Sequence, residues 1–440
     1  MNESFLKNIH VAHLIGVGGI GVSAVARLML ARGVTVSGSD NNPSLATEKL
    51  LVVEQLKKEG IKVFFGHDAV NVPVVCDLVV YSPAVREDNP ELVVAQERGV
   101  QTLSYPEALG MISRGMRTVA VAGTHGKTTT TAMIAEILVG AKLSPTVIVG
   151  SILKSGTNFI AGKSDIFVVE ACEYKRSFLN LSPEILVITN IDNDHLDYYG
   201  TIEGVQKAFA ELIEKVPAHG AIVCNPNDPL VAPVITKAIA RIVDYTLGSS
   251  TPKLAVSGDH NIRNAKAALA VARILGVGGE EAEKFLAQFA GTWRRMEYKG
   301  RVESGALVYD DYAHHPTEIK ATLQGFRAKY PDGNIRVIFQ PHLYSRTKFL
   351  LADFAESFSD ANEVIVAPIY AAREENDATI SSEILAQRIM DEQKVSGLRV
   401  WAMLDFETIE KYLRDTATTN DIIITMGAGD IYKVGESVVG

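Results

Sequence analysis

The stretch RTVAVAGTHGKTTTTAMIAEIL, residues 117–138, runs from an apolar strand through a glycine turn into a helical pattern without a break. Residues 117–122 are the strand, Gly123 and Gly126 free the turn, Lys127 and Thr128 follow, and Thr130 to Leu138 continue with helical spacing. A triphosphate needs five things: a strand that stops, small residues exposing backbone N–H groups, a lysine, a hydroxyl for magnesium, and a helix aiming its positive end at the anion. All five are present, although Gly123 stands closer to Gly126 than the usual G-x-x-x-x-G-K-[ST] pattern has it. The stretch therefore predicts an α/β domain with a compact phosphate loop, Gly123, Thr124, His125, Gly126, Lys127, Thr128 and Thr129 surrounding the phosphates.

The same alternation extends in both directions. Upstream, VAHLIG, VTVSGSD, IKVFFG and DLVVYSP alternate with the helical runs VSAVARLMLARG and SLATEKLLVVEQLKKEG, which indicates parallel strands joined by crossover helices. Ser44 is placed as an N-cap with Glu48 in the first turn, and Gly33 and Gly60 stand where helix C-caps belong. The central unit has strands at 117–122, 166–170, 185–190, 220–224 and 241–245, with helices after 127, 201, 261 and 280. From near Gly300 the pattern repeats: ALVYDD, a helix from Pro316, IRVIFQ, a helix from Thr347, EVIVAPI, a helix from Ser381, LRVWAM and DIIITMGAG. The fold class expected is three doubly wound α/β domains in series, divided at 1–110, 111–295 and 296–440.

Bulk properties narrow the function. The 440 residues are 47% hydrophobic and 22% charged, an ordinary globular composition, with a net charge of −9 and no basic run. Binding to nucleic acid or a membrane surface is not expected. Cys76, Cys172 and Cys224 are odd in number, widely spaced and without a C-x-x-C pair, which argues against a disulfide framework or a zinc site and points to a reducing cytoplasm. The beginning MNESFLKNIH lacks the pattern of a signal peptide, and no run of 18 apolar residues occurs.

Further polar groups gather at strand ends, where ligands of open α/β sheets bind. GVGGIG, residues 16–21, fits G-x-G-x-x-G between a strand and a helix, with Asp40 closing the next strand in the position that meets a ribose. A nicotinamide dehydrogenase would have no use for a second phosphate loop, so two phosphate sites suggest one nucleotide as substrate and another as energy source. Glu170 closes DIFVVE, where with Thr128 it could hold magnesium, and NIDNDH at 190–195 ends on His195, a candidate for a second metal site. GDHNIRNA places His260, Asn261 and Asn264 at a helix start, suited either to an adenine or to simple capping. DDYAHHPTEI and FQPHLYSRT, residues 310–319 and 339–347, add the acids Asp310 and Asp311, three histidines and Arg346 after two strands of the third domain.

In this order, GVGGIG, GTHGKTTTT, EACEYKRSFL, TNIDNDHLDYY, GDHNIRNA, GTWRRME, DDYAHHPTEI and FQPHLYSRT resemble the Mur ligases, most closely the alanine-adding branch, over nearly the whole chain. The resemblance implies a UDP-sugar domain, a central ATPase domain and a C-terminal Rossmann-like domain that closes on both. It implies ATP and Mg2+ as cofactors and UDP-N-acetylmuramate and L-alanine as substrates, in a monomer or weak homodimer; the rival within the family attaches a recycled tripeptide instead. Lys127 would contact the β- and γ-phosphates, Thr128 and Glu170 one magnesium, and His195 a second. His260, Asn261 and Asn264 would face the adenine, with Arg295 and Asp311 reaching the nucleotide. His314 and Arg346 would lie near the amino acid, and Gly16, Gly18, Gly19, Gly21, Asp40 and Ser82 at the UDP end. Two features depart from the family: residues 246–259 are short where a hairpin is expected, and Leu343 stands where some relatives carry arginine.

Overall fold

Three parallel-rich sheets follow one another along the chain in a computed structural model that describes residues 6–41, 47–153, 156–247, 251–256, 258–372, 374–392 and 397–439. The first comprises β1 (Val11–Ile15), β2 (Thr35–Asp40), β3 (Lys62–Phe65), β4 (Leu78–Tyr81) and β5 (Gln101–Ser104), in the order β3-β2-β1-β4-β5. All its pairings are parallel. The second comprises β6 (Arg117–Ala122), β7 (Thr146–Ile148), β8 (Phe159–Ile160), β9 (Ile166–Glu170), β10 (Ile185–Ile188), β11 (Ala221–Cys224) and β12 (Arg241–Asp244). Its order is β12-β11-β10-β6-β9-β7-β8, with β8 antiparallel to β7. The third, β13 (Glu297–Arg301), β14 (Leu307–Asp311), β15 (Asn334–Phe339), β16 (Glu363–Val366), β17 (Arg399–Ala402) and β18 (Asp421–Met426), has the order β13-β14-β18-β15-β16-β17, with β13 antiparallel to β14.

Central strands such as Ile185–Ile188 and Asp421–Met426 are buried along their whole length, so they show no apolar-polar alternation: helices cover both faces of each sheet. Gly33 and Gly60 follow their helices at φ +85° and +96°, as helix-ending glycines should. Ser44 and the side chain of Glu48 lie outside the described residues. The short strands β5, β7, β8 and β13 escape a periodicity reading, and the helix expected from Thr347 begins earlier, at Tyr344.

The chain divides into two compact units, Met1–Lys253 with Arg263–Gln288, and Leu254–Ile262 with Phe289–Gly440. The first unit contains the first two sheets, which share one hydrophobic core. Polar contacts also join them: Arg27 Nη1 donates to Asn158 Oδ1 at 2.6 Å, and Ser182 N donates to Ser113 Oγ at 3.1 Å. The third sheet builds the second unit, with apolar layers on each face.

Candidate active site

β6 lies between β9 and β10 and delivers the phosphate loop at its carboxyl end. Gly123 and Gly126 have φ of +134° and +79°, conformations that a side chain disfavours. A Cβ on Gly126 would also stand 2.5 Å from Asn264 Oδ1. Gly126 caps the helix Lys127–Gly140, so the first helical N–H groups sit directly behind the loop. The segment after β10 braces this loop. His125 N donates to Asn190 Oδ1 at 2.9 Å, Asn190 Nδ2 and Thr189 Oγ1 donate to His125 O at 3.0 and 2.6 Å, and Asp192 N donates to Thr124 Oγ1 at 2.9 Å. His125 Nε2 lies 2.9 Å from Asp192 Oδ2. The side chains of Thr124 and His125 thus shape the loop, while Thr129 is buried in the first helical turn.

Lys127, Thr128, Glu170 and His195 belong to one cluster, together with Glu173. Lys127 Nζ donates to Gly123 O at 2.6 Å, Thr124 O at 2.9 Å and Glu173 Oε1 at 3.0 Å. Burial works most strongly against the ammonium charge, but Glu173, Cys172 and Glu170 together outweigh it and hold the pKa above the ordinary lysine value. Thr128 Oγ1 lies 3.1 and 2.9 Å from the two oxygens of Glu170, whose Oε2 also accepts from Gly150 N at 2.9 Å. A hydroxyl and a carboxylate converging at the start of the helix Lys127–Gly140 form the hard-oxygen donor set that magnesium prefers, so the residues fit that ion. His195 has φ +54°, its ring centroid lies 4.8 Å from that of Tyr174, and its Nε2 is 3.7 Å from Glu173 Oε1. Glu173 escaped the sequence expectations although it lies within EACEYKRSFL; the signal available was an acid three residues beyond Glu170.

In the first sheet Gly16 has φ +82° and Gly19 N donates to Gly16 O at 3.1 Å, a tight turn after β1. Asp40 is buried and accepts from Gly18 N at 2.8 Å, so this carboxylate steadies the glycine turn from beneath. Ser82 follows β4 and packs against Gly16, and Gly21 packs against the ring of Tyr105. A polar network that the sequence did not reveal joins Glu91 to Asn71 Nδ2 at 2.6 Å, to His67 Nδ1 at 3.2 Å and to Ser39 Oγ. Burial pushes the Glu91 carboxyl up, yet the nearby His13 ring, 3.6 Å away, and the hydrogen bonds from Ser39 and Asn71 bring it down to about 2.

In the second unit the arginine pair of GTWRRME splits. Arg294 is fully buried: Nε lies 2.7 Å from Asp310 Oδ2, and its other nitrogens donate to Gly429 O at 2.8 Å and Gly427 O at 2.6 Å. Arg295 lies over the ring of Tyr312 and 3.7 Å from Glu318 Oε1. Asp311 accepts from Met296 N at 2.7 Å and Ala313 N at 2.8 Å; burial, partly offset by Arg295, pushes its carboxyl up to about 6. His314 Nδ1 lies 3.0 Å from Tyr312 O, and its ring is 5.9 Å from that of His342. His342 stacks on Tyr370, and its Nδ1 is 2.9 Å from Arg346 Nη1, so His314 and Arg346 are joined through a histidine that had no assigned role. Arg346 lies in the first turn of the helix Tyr344–Phe349, and Leu343 before it holds φ +69°. Asn261 is buried on the helix Asp259–Ile274, and His260 packs against Gly258.

Comparisons with known proteins agree with this layout. Residues 11–117 match the Mur ligase family catalytic domain, 121–251 the Mur ligase middle domain, and 294–429 the Mur ligase glutamate ligase domain. The chain is 40% identical to a UDP-N-acetylmuramate–L-alanine ligase of Clostridium acetobutylicum, covering 96% of each, and 42% identical to one of Caldanaerobacter subterraneus, covering 99% of this chain and 98% of the other. Among solved structures, a UDP-N-acetylmuramate-alanine ligase of Thermotoga maritima aligns with a TM-score of 0.77 at 29% identity, covering 98% of both chains. A murein peptide ligase of Psychrobacter arcticus aligns with a TM-score of 0.69 at 25% identity, again over 98% of both. With its phosphate loop, its order of three sheets and these full-length likenesses, the chain belongs to the Mur ligase family.

Proposed function

We propose that this chain is an ATP-dependent ligase that joins L-alanine to the lactyl carboxylate of UDP-N-acetylmuramate, a step in making peptidoglycan precursors. The observation that carries the specific assignment is about 40% identity, over nearly the whole chain, to ligases named for that reaction. The tripeptide-adding rival has its solved relative at lower similarity, 25% identity against 29%. The domains are assigned as 1–110 for the UDP-sugar, 111–295 for ATP and 296–440 for the amino acid. Among the described residues no helix is long and apolar enough to cross a membrane, in keeping with a cytoplasmic enzyme working on small molecules.

A carboxylate is a poor acyl donor. Its oxygen attacks the γ-phosphorus of ATP, ADP leaves, and an acyl phosphate results. The alanine amine, having lost a proton, then attacks the acyl carbon; the tetrahedral intermediate expels inorganic phosphate and leaves the amide. Catalysis of phosphoryl transfer is largely positioning and charge compensation. Lys127 and the N–H groups of the loop bind and orient the β- and γ-phosphates. Thr128 and Glu170 would hold magnesium, with His195 at a second ion, and bound metal would neutralise developing negative charge. Asn264 against the loop, with Asn261 and His260, serves the nucleotide base, and Arg295 and Asp311 are assigned to the nucleotide as well. Arg346 and His314 orient the carboxylate of alanine. Gly16, Gly18, Gly19, Gly21 and Ser82 cradle the diphosphate of the UDP-sugar on a turn that Asp40 supports.

Incubating the purified protein with UDP-N-acetylmuramate, ATP and single amino acids, with products read by mass, tests the assignment. A product heavier by one alanyl residue, with equimolar ADP, is expected. Turnover only with a tripeptide would replace the assignment by its rival.

A further inference from the structure

We propose that Glu173 is a positioning residue shared between Lys127 and His195: a phosphate oxygen that takes its place on the lysine ammonium turns the Glu173 carboxylate onto His195 Nε2. The role presupposes Lys127 on phosphate and His195 as a metal ligand, as proposed above.

An ammonium has three N–H groups, and the acceptors around Lys127 Nζ are Gly123 O at 2.6 Å, Thr124 O at 2.9 Å and Glu173 Oε1 at 3.0 Å. A phosphate oxygen can join only by displacing one of them. The two carbonyls belong to a loop backbone fixed by Thr189, Asn190 and Asp192. Glu173 comes from the segment after β9, and rotation of its side chain alone can release it. Its Oε2 also lies 3.0 Å from Nζ and makes no hydrogen bond among the described residues, so both oxygens of the carboxylate rest on the same ammonium and are released together.

A displaced Glu173 cannot simply turn to water, because the residue is 3% exposed and a buried carboxylate needs a new donor. His195 Nε2, 3.7 Å from Oε1, is placed to supply it. The histidine is held there by its backbone at φ +54° and by the ring of Tyr174, while Tyr199 Oη donates to the carbonyl of Glu173 itself. The other nearby acids have different work. Glu170 is engaged by Thr128 and Gly150, and Asp194 Oδ1 already accepts from the backbone N–H of His195 at 2.8 Å, although its Oδ2 also lies 3.7 Å from Nε2. A hydrogen bond from Nε2 to Glu173 leaves Nδ1 with its lone pair, the state in which an imidazole binds a cation; a carboxylate behind a ligating histidine is the usual means of fixing that tautomer. Phosphate on Lys127 and readiness of His195 are thereby linked through one side chain.

Nitrogen-15 spectra of the histidine rings in the full chain test this without metal or turnover, the His195 signals being assigned with a His195→Gln variant. Adding ATP in EDTA should move His195 toward the Nε2-protonated tautomer in the parent and in Asp194→Asn, but not in Glu173→Met. A response that persists in Glu173→Met, or one abolished by Asp194→Asn, would overturn the proposal. A crystal structure of the parent with an ATP analogue tests the same exchange without any variant: Lys127 and Glu173 should separate and Glu173 close on His195 Nε2, whereas an unchanged ion pair beside bound phosphate refutes the exchange. Calorimetry with Lys127→Ala separates the two layers. Metal-free ATP should bind roughly ten-fold more weakly or worse, by loss of a charged hydrogen bond. Unchanged binding would refute the role of Lys127 on phosphate, whereas weaker binding with a silent His195 would refute only the role of Glu173.

Discussion

Replacing Arg294 with methionine should destabilise the second unit severely while leaving its apolar packing nearly filled. The guanidinium is 1% exposed, lies 2.7 Å from Asp310 Oδ2, donates to the carbonyls of Gly427 and Gly429, and is surrounded by the rings of Trp293, Tyr312 and Tyr432 at 5.7, 5.1 and 4.6 Å. Methionine keeps most of the stem but leaves Asp310, itself fully buried, with Thr425 Oγ1 at 2.7 Å as its remaining side-chain donor. Breaking a buried pair from one side costs about 3–5 kcal/mol, because the orphaned charge stays in low dielectric. Burial already pushes the Asp310 carboxyl up against the pull of Arg294, so without Arg294 its pKa rises further and the deficit should be smaller at pH 5 than at pH 8. Removing both charges, in Arg294→Met with Asp310→Asn, should recover about 1–2 kcal/mol of the loss. Both tryptophans of the chain, Trp293 and Trp401, lie in the second unit, so fluorescence during urea unfolding of the full chain reports on that unit. A single-variant deficit below about 1 kcal/mol, or a double variant no better than the single one, would refute the reasoning.

Lys127→Ala should abolish ATP-dependent turnover with UDP-sugar binding nearly intact, since the glycine turn after β1 is built independently of Lys127; equal loss of both in calorimetry would count against that separation. Glu170→Gln removes one charge from the proposed magnesium site and should raise the magnesium concentration needed for half-maximal rate, which a metal titration at saturating ATP measures. Arg346→Lys should raise the Michaelis constant for alanine roughly ten-fold or more, because a lysine cannot reproduce the paired hydrogen bonds of a guanidinium to a carboxylate, while the constants for ATP and the UDP-sugar stay put. Asp311 has its folded pKa raised to about 6 from 3.8, so its contribution to stability is present in full below pH 3.8 and is lost as pH rises through 6. The unfolding free energy of the parent relative to Asp311→Asn should therefore fall by about 2–3 kcal/mol between pH 4 and pH 7, and a flat difference would mean that the carboxyl titrates normally.

Residues whose chemistry depends on a local pattern were legible in the sequence. Gly123, Gly126, Lys127 and Thr128 were legible as a strand–turn–helix joint because such a loop is built from consecutive backbone, and the βα alternation announces parallel sheets because crossover helices have a length of their own. Glu170 was legible as an acid at a strand end, and the structure does place it against Thr128. Partners made by the fold were not legible. Nothing in EACEYKRSFL says that Glu173, rather than any other acid, reaches the ammonium of Lys127, and nothing in GTWRRME says which arginine is buried. Asp40 reads as a ribose ligand because acids at that position commonly are; that its carboxylate also accepts from Gly18 N, a contact set by the approach of the turn to the next strand, was not legible. Strands of two to five residues such as β8 and β13 carry too few side chains to show a period, and their antiparallel pairing is decided by neighbouring strands.

The most direct test of the central claim follows the lactyl oxygens. UDP-N-acetylmuramate labelled with oxygen-18 in both carboxylate oxygens is incubated with the protein, ATP and L-alanine, and the phosphate and the amide product are analysed by mass. If ATP activates the carboxylate as an acyl phosphate that alanine then attacks, each phosphate released carries one oxygen-18 and each alanyl product retains the other. Unlabelled phosphate, or hydrolysis of ATP without an alanyl product, would contradict the account.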